Sequence, residues 1–344
     1  MNMNKKILLW VGGLILLLMF SMILSLMIGS VSVPPNLTVR ILLNHLPFLN
    51  LEPNWSIGQE SIVWNLRLPR VFLSLLVGAM LSIAGVAFQG VLRNPLADPY
   101  ILGVSSGAAL GAAMTILFGH QIGFLGQFSL PLFAFIGAII SLGLVILLTS
   151  TQHIRSNEIL ILAGVVIQAF SGAILTFLIA LSGEKMQSII FWMMGSLANH
   201  DWIDVRILLP YFLVGLLYLG TQYRELNILA LGEQAATHLG IEVEKKKFYI
   251  LTVASLLAAA AVSIVGIIGF VGLIIPHLIR LLTGPNHRNL LPISTLAGAL
   301  FLLWADTIAR TIIPSREIPI GVVTAMIGAP FFAYLLRKGI RREH

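Results

Sequence analysis

Apolar residues run along this chain in long unbroken blocks, separated by short polar, proline- or glycine-rich breaks. A membrane-spanning helix needs roughly 20 apolar residues to cross about 30 Å of hydrocarbon. Continuous runs of this length, without two-residue alternation, predict helices rather than the strands of a β-barrel. The blocks predict ten crossings, at 7–29, 70–92, 100–119, 128–150, 157–182, 203–221, 246–268, 274–284, 288–313 and 318–337. The eighth is too short to span alone; Gly266, Gly269 and Gly272 precede it, and it carries Pro276. Irregular backbone is tolerated in a bilayer only where protein satisfies its polar groups, so this piece is expected inside the bundle. The first block exceeds the roughly 7–15 apolar residues of a signal peptide and ends without a clear cleavage pattern, so it is read as a retained span. The pattern therefore describes an all-α, polytopic membrane protein, taken as one transmembrane domain over 1–344 with a cytoplasmic loop at 226–244.

Composition agrees. The chain is 58% hydrophobic and 10% charged, where soluble domains carry about 25% charged residues. The absence of cysteine excludes disulfides, thiolate metal sites and cysteine nucleophiles. The net charge of +7 sits in short clusters between apolar runs, which reads as membrane topology rather than nucleic-acid binding. With the N-terminus inside, fourteen Lys and Arg residues fall on inner segments, among them Arg93, Arg155, Lys245, Lys246, Lys247, Arg341 and Arg342. Seven fall outside: Arg40, Arg67, Arg70, Lys185, Arg206, Arg310 and Arg316. That bias predicts both termini in the cytoplasm. Trp55, Trp64, Trp192 and Trp202 lie near the expected outer interface.

Within "RNPLADPYILGVSSGAALGAA", Arg93 to Ala113, Pro95 and Pro99 force a turn. Gly103, Gly107 and Gly111 follow at intervals of four, forming a small-residue ridge that predicts close helix packing. They are not a phosphate loop, because no Gly-Lys pair occurs anywhere in the chain. The chain therefore cannot bind and hydrolyse ATP by that route. Ionisable residues are nearly absent from the apolar cores, which weighs against an ion-coupled secondary transporter. Asp306 and Arg310, four apart near an outer helix end, read as a self-neutralising pair rather than a proton relay. His277 reads as a hydrogen-bonded structural residue, and no metal site is expected.

Two segments carry candidate function. In the inner loop from Arg224 to Lys247, Gly232 and Gly240 bracket a short helical run from Glu233 to Leu239. Ala235, Ala236 and Leu239 give it a small apolar face that a cytoplasmic partner can engage. At the outer mouth, "RLPR" places Arg67 and Arg70 about a rigid Pro69. The arginines either snorkel to headgroups or capture carboxylates of an external protein.

The stretch "RLPRVFLSLLVGAMLSIAGVAFQGVLRNPLADPYILGVSSGA" resembles the signature of ABC importer permeases for iron-siderophores, haem and vitamin B12. So do "LALGEQAATHLG", "GFVGLIIPHLIRLLTGPNHRNLLPIS" and "EIPIGVVTAMIGAPFFAYLLR". The resemblance runs from about Arg67 to the C-terminus. It implies the type II importer permease fold, with ten helices, in a bacterial cytoplasmic membrane. It also implies a second permease copy or relative, two cytoplasmic ATPase subunits that hold the ATP and Mg, and an extracytoplasmic substrate-binding protein. The chain itself is then a transport subunit without a cofactor, not an enzyme. The segment from Gly232 to Gly240, with Glu233, Ala235 and Ala236, corresponds to the ATPase-coupling helix. Arg67, Arg70 and Arg310 match the arginines that dock the binding protein. The region 182–196 corresponds to a half-helix near an outer gate. An iron-siderophore is the expected cargo, with haem and vitamin B12 as alternatives.

Overall fold

The computed structural model describes residues 3–29, 31, 33–45, 52–119, 123–150, 157–313 and 316–340. Arg155, Arg341 and Arg342, three of the inner charges, lie outside the described residues. Every regular element among the described residues is helical. In chain order these are α1 (Met3–Met27), α2 (Pro35–Asn44), α3 (Ile57–Glu60), α4 (Leu68–Leu92), α5 (Val104–Phe118), α6 (Ser129–Ser150), α7 (Asn157–Leu181) and α8 (Met186–Met193). They continue with α9 (Trp202–Thr221), α10 (Tyr223–Leu229), α11 (Glu233–His238), α12 (Val243–Val265), α13 (Val271–Thr283), α14 (His287–Ala309) and α15 (Ile320–Ile340). Among the described residues, seven helical stretches are long and apolar enough to cross a membrane, and three shorter apolar helices lie in α5, α13 and α15. Together they match the ten predicted segments.

α4 is the axis of the bundle. Its most apolar window is 89% buried, against 6% for α1. α9, α12, α13 and α14 surround it. Small residues permit this crowding: a Cβ on Gly85 would lie 1.9 Å from the Gly272 carbonyl oxygen. In lipid such close approach replaces the hydrophobic driving force between helices. Helices α5 and α6 pair the same way, since a Cβ on Gly107 or Gly111 would lie 2.3 Å or 2.1 Å from the Gly137 or Phe133 oxygen.

Gly103 is not part of that helical ridge. It is the N-cap of α5, with φ of 79°, a left-handed conformation that glycine adopts without strain. Its carbonyl accepts a 2.7 Å hydrogen bond from Ser141 Oγ on α6, so it fastens the turn rather than the helix face.

Of the boundaries that differ from the sequence pattern, two mark irregular backbone. The second span begins much earlier than 70. A π-helical turn over Ser61–Arg67 joins α3 to α4, making one helical run from Ile57 to Leu92. The wider turn precedes Pro69, whose missing amide and ring disturb a regular α-ladder. The eighth segment begins at Val271, not 274, once the chain has crossed the break at Gly266–Phe270. Polar side chains satisfy the irregular backbone, as a bilayer requires. Gln89 Nε2 donates to the Leu273 oxygen (3.0 Å), Tyr100 Oη to Ile268 (2.9 Å) and Gln168 Nε2 to Ile101 (3.0 Å).

Candidate functional site

At one end of the bundle the loop after α9 folds into α10 and α11. Gly232 (φ 119°) and Gly240 (φ 80°) turn the chain at either side of α11. The helix closes with a Schellman pattern: Ile241 N–H donates to Ala236 O (3.1 Å) and Gly240 N–H to Thr237 O (3.0 Å). Three contacts weld the unit to the spans. Lys247 Nζ of α12, whose side chain is 5% exposed, pairs with Glu233 Oε1 at 2.7 Å. Lys246 Nζ reaches Glu225 Oε1 of α10 at 3.2 Å. Asn227 Oδ1 accepts from the His287 amide of α14 at 2.9 Å. The loop is therefore a rigid knob fixed to α12 and α14.

Ala236 does not belong to a partner-facing surface. It is fully buried against the bundle's own core. A helix of one and a half turns must bury one face on its own protein to hold still, and Ala236 is on that face. Leu231 and Leu239 are the exposed apolar residues here, and Ala235 is half-buried. Beside them a recess of about 540 Å³ is lined by Arg93, Asn157, Leu231, Gly232, Glu233 and Ala235 among others. Sequence reasoning counted Lys246 and Lys247 only as topology charges; their attachment to Glu225 and Glu233 is set by the loop's return path.

At the opposite end, Arg67, Arg70 and Arg310 come together in one cluster of about 280 Å³ with His200 and Glu317. Each of the three is hydrogen-bonded within the chain. Arg67, 7% exposed, donates to the Leu26 oxygen at 2.7 Å and to Val31 O, gathering carbonyls at the end of α1. Arg310 donates to Ser25 O and to Ser25 Oγ, the latter at 2.7 Å. Arg70 grips the fully buried Asp306 with Nε (3.0 Å) and Nη2 (2.8 Å), while Nη1 holds Glu317 at 2.9 Å. The expected Asp306–Arg310 pair is present but looser, at 3.6 Å. These guanidinium groups bond helix-end carbonyls and a buried carboxylate, while Arg310 Nε has no hydrogen-bond partner among the described residues.

Between the two ends three pieces of irregular backbone meet. The Met194 and Gly195 carbonyls after α8 accept from the Gly321 and Ile320 amides of α15 (3.0 and 3.1 Å). The Ser196 amide donates to Val265 O at the end of α12 (2.8 Å). Any Cβ on Gly266 would lie 2.2 Å from Trp192 O. Phe270, at φ 70°, is a bulky residue in a left-handed conformation that costs on the order of 1–3 kcal/mol. The crowded glycines before 274 and, by the family resemblance, the half-helix region 182–196 signalled this junction; the individual parts played by Gly195 and Gly321 were not legible. His277 is half-buried on α13, with its ring 5.8 Å from that of Phe332. Its Nδ1 has no hydrogen-bond partner among the described residues, so the expected structural bond is not formed there.

Comparison with known proteins gives this architecture a context. The FecCD transport family matches residues 17–338. The chain is 44% identical over 322 residues to the uncharacterized ABC transporter permease protein YvrB of Bacillus subtilis, covering 92% of this chain and 90% of the relative. It is 45% identical over 278 residues to the cobalamin import system permease protein BtuC of Halobacterium salinarum, covering 81% and 74%. Further relatives are named for hemin, molybdate and iron(3+)-hydroxamate import. A solved structure described as an inward-facing metal-chelate type ABC transporter superposes with a TM-score of 0.83 at 35% identity, covering 95% of this chain and 98% of that one. The fold is thus shared along almost the whole length, and the chain belongs to the FecCD transport family, as the permease of an ABC importer.

Proposed function

We propose that this chain passes an iron-siderophore across the bacterial cytoplasmic membrane, driven by ATP that partner subunits hydrolyse. The observation that carries the reading is the welded knob. A permease without a nucleotide site must receive its work from outside, and α11 is a short helix fixed by a buried lysine to a spanning helix. The ATPase engages Leu231, Leu239 and the adjoining recess. Its closure displaces α11, and Lys247 passes the displacement to α12. α12 ends at the Gly266 break, where it meets α8 and α15. A rigid rod pushed at one end thus moves the irregular junction at the other, and that junction acts as the gate.

The Arg70 end faces outward and receives the binding protein. Glu317 is 47% exposed, unlike Asp306 at 1%. An incoming carboxylate on the partner can therefore replace Glu317 on Arg70 Nη1 while Asp306 keeps the guanidinium in place. Both termini lie in the cytoplasm, and a second permease completes the pathway. A chelate is a large cargo and needs a wide, weakly binding route, which suits spans that hold few fixed charges. The test is uptake into vesicles holding this permease, its ATPase and the binding protein. Ferric siderophore should accumulate only with ATP and all three parts. Accumulation of haem or cobalamin instead would reassign the cargo, and proton-driven flux through the permease alone would defeat the scheme.

A further inference from the structure

The side-chain hydrogen bonds that hold α1 to the bundle come from its C-terminal half. That half is stitched to α14 by Ser25–Thr307 (2.8 Å), Trp304 Nε1 to Ser21 Oγ (3.1 Å) and the Arg310 contacts to Ser25, with Leu18 packed against Ala79 and Ala299. Beyond Leu18 toward the N-terminus the helix packs on the core through Val11 and Leu14, while Leu8, Leu9, Leu16 and Leu17 are exposed. It leaves a groove of about 820 Å³ against the end of α13 and the start of α14. The groove runs from Ile7 to Leu17 along α1. Those ten steps of helix measure about 15 Å, half of the roughly 30 Å hydrocarbon core. Its depth is that of one leaflet.

The walls are apolar, among them Leu9, Leu14, Leu17 and Leu282, with Trp10 also lining the groove. Thr283 and Asn289 are the polar members, and Thr283 Oγ1 is already bonded to the Ile279 oxygen at 2.8 Å. Asn289 is 8% exposed, and its Oδ1 has no hydrogen-bond partner among the described residues. An unpaired amide beside hydrocarbon costs several kcal/mol unless a ligand group answers it. Charge stands at the same end: Lys5 and Lys6 directly precede Ile7 on α1, and exposed Arg288 precedes Asn289 on α14. We propose that this groove is a binding site for one anionic phospholipid. Its acyl chain fills the gap beside Leu14 and Leu17, its phosphate meets Arg288, and a headgroup hydroxyl donates to Asn289 Oδ1. A volume near 820 Å³ is within the usual range of ligand sites, about 300–1,000 Å³, and basic pockets between spans recognise anionic headgroups. The site does not depend on which face of the membrane this end occupies.

Two glycines supply the test. A Cβ at Gly13, which lines the groove, or at Gly12, which does not, meets nothing within 4 Å. The protein is reconstituted in phosphatidylcholine nanodiscs with a trace of spin-labelled phosphatidylglycerol or spin-labelled phosphatidylcholine. An immobilised component is expected for phosphatidylglycerol and not for phosphatidylcholine. Gly13→Phe should abolish it, Asn289→Leu should weaken retention by about ten-fold, and Gly12→Phe should leave it unchanged. Equal immobilisation of the two labels overturns the proposal, as does a phosphatidylglycerol signal that survives both Gly13→Phe and Asn289→Leu. Absence of any immobilised label, the result if a second protein copy fills the groove, overturns it too. Should Gly13→Phe fail to fold, Asn289→Leu alone decides.

Discussion

Lys247 Nζ lies 2.7 Å from Glu233 Oε1, joining a nearly inaccessible lysine on a spanning helix to the first residue of α11. Lys247→Met keeps the length of the side chain and removes the charge. Glu233 is 41% exposed and stays solvated without its partner, so the fold should lose no more than about 1 kcal/mol. ATP-driven uptake should fall at least several-fold while ATPase binding to the permease persists, measured by co-purification beside vesicle transport. Full transport in this variant would remove Lys247 from the coupling path.

Asp306 is the hub of the opposite end, fully buried between Arg70 and Arg310. Asp306→Ala leaves two enclosed cations facing each other and should destabilise by about 3–5 kcal/mol. Glu317→Gln touches the exposed arm of the same network and should cost no more than about 1 kcal/mol. Thermal unfolding of the two variants in detergent checks the contrast. Equal midpoints would contradict the asymmetric burial of the two carboxylates. In the transport assay Glu317→Gln should alter the affinity for the binding protein more than the stability of the fold.

Helix packing can be tested at two glycines of one hairpin. A Cβ at Gly111 of α5 would lie 2.1 Å from the Phe133 oxygen, whereas one at Gly143 of α6 meets nothing within 4 Å. Gly111→Val should prevent α5 and α6 from seating and abolish the monodisperse size-exclusion peak. Gly143→Ala should be tolerated and stabilise by about 0.5–1 kcal/mol through helix propensity. Comparable loss from both would show that contact distance at these glycines does not decide the packing.

The turn between α4 and α5 should make stability depend on pH. Burial pushes the Asp98 carboxyl up to about 6 from an ordinary value of 3.8, against the favourable hydrogen bond from the Tyr100 amide. Between these values the folded chain binds the proton more tightly than the unfolded one. Stability therefore falls as pH rises through that window, by up to about 3 kcal/mol, and is level above it. Asn at this position keeps the acceptor for the Tyr100 amide. Asp98→Asn should flatten the profile between about pH 4 and pH 6 and raise stability at pH 8. Parallel profiles for the two proteins would exclude Asp98 as the source.

The sequence by itself determined the helical class, the membrane setting and the number of apolar segments, because a bilayer requires long apolar runs and each run is a local property of the chain. It also located the short helix between Gly232 and Gly240, where glycine marks its turns. Tertiary structure alone decided which side chains meet. Arg70 looks outward-bound in "RLPR" and finds Asp306 only because α14 returns beside α4, 236 residues later. Ala236 looks available on a short exposed helix and is buried because α11 folds back onto the bundle. Gly195 and Gly321 carry no local signal of the junction they form, since a close approach of two backbones is a property of the pair. Pairing energies in lipid depend on distance and on the partner's polar groups, and neither is written in the residue itself.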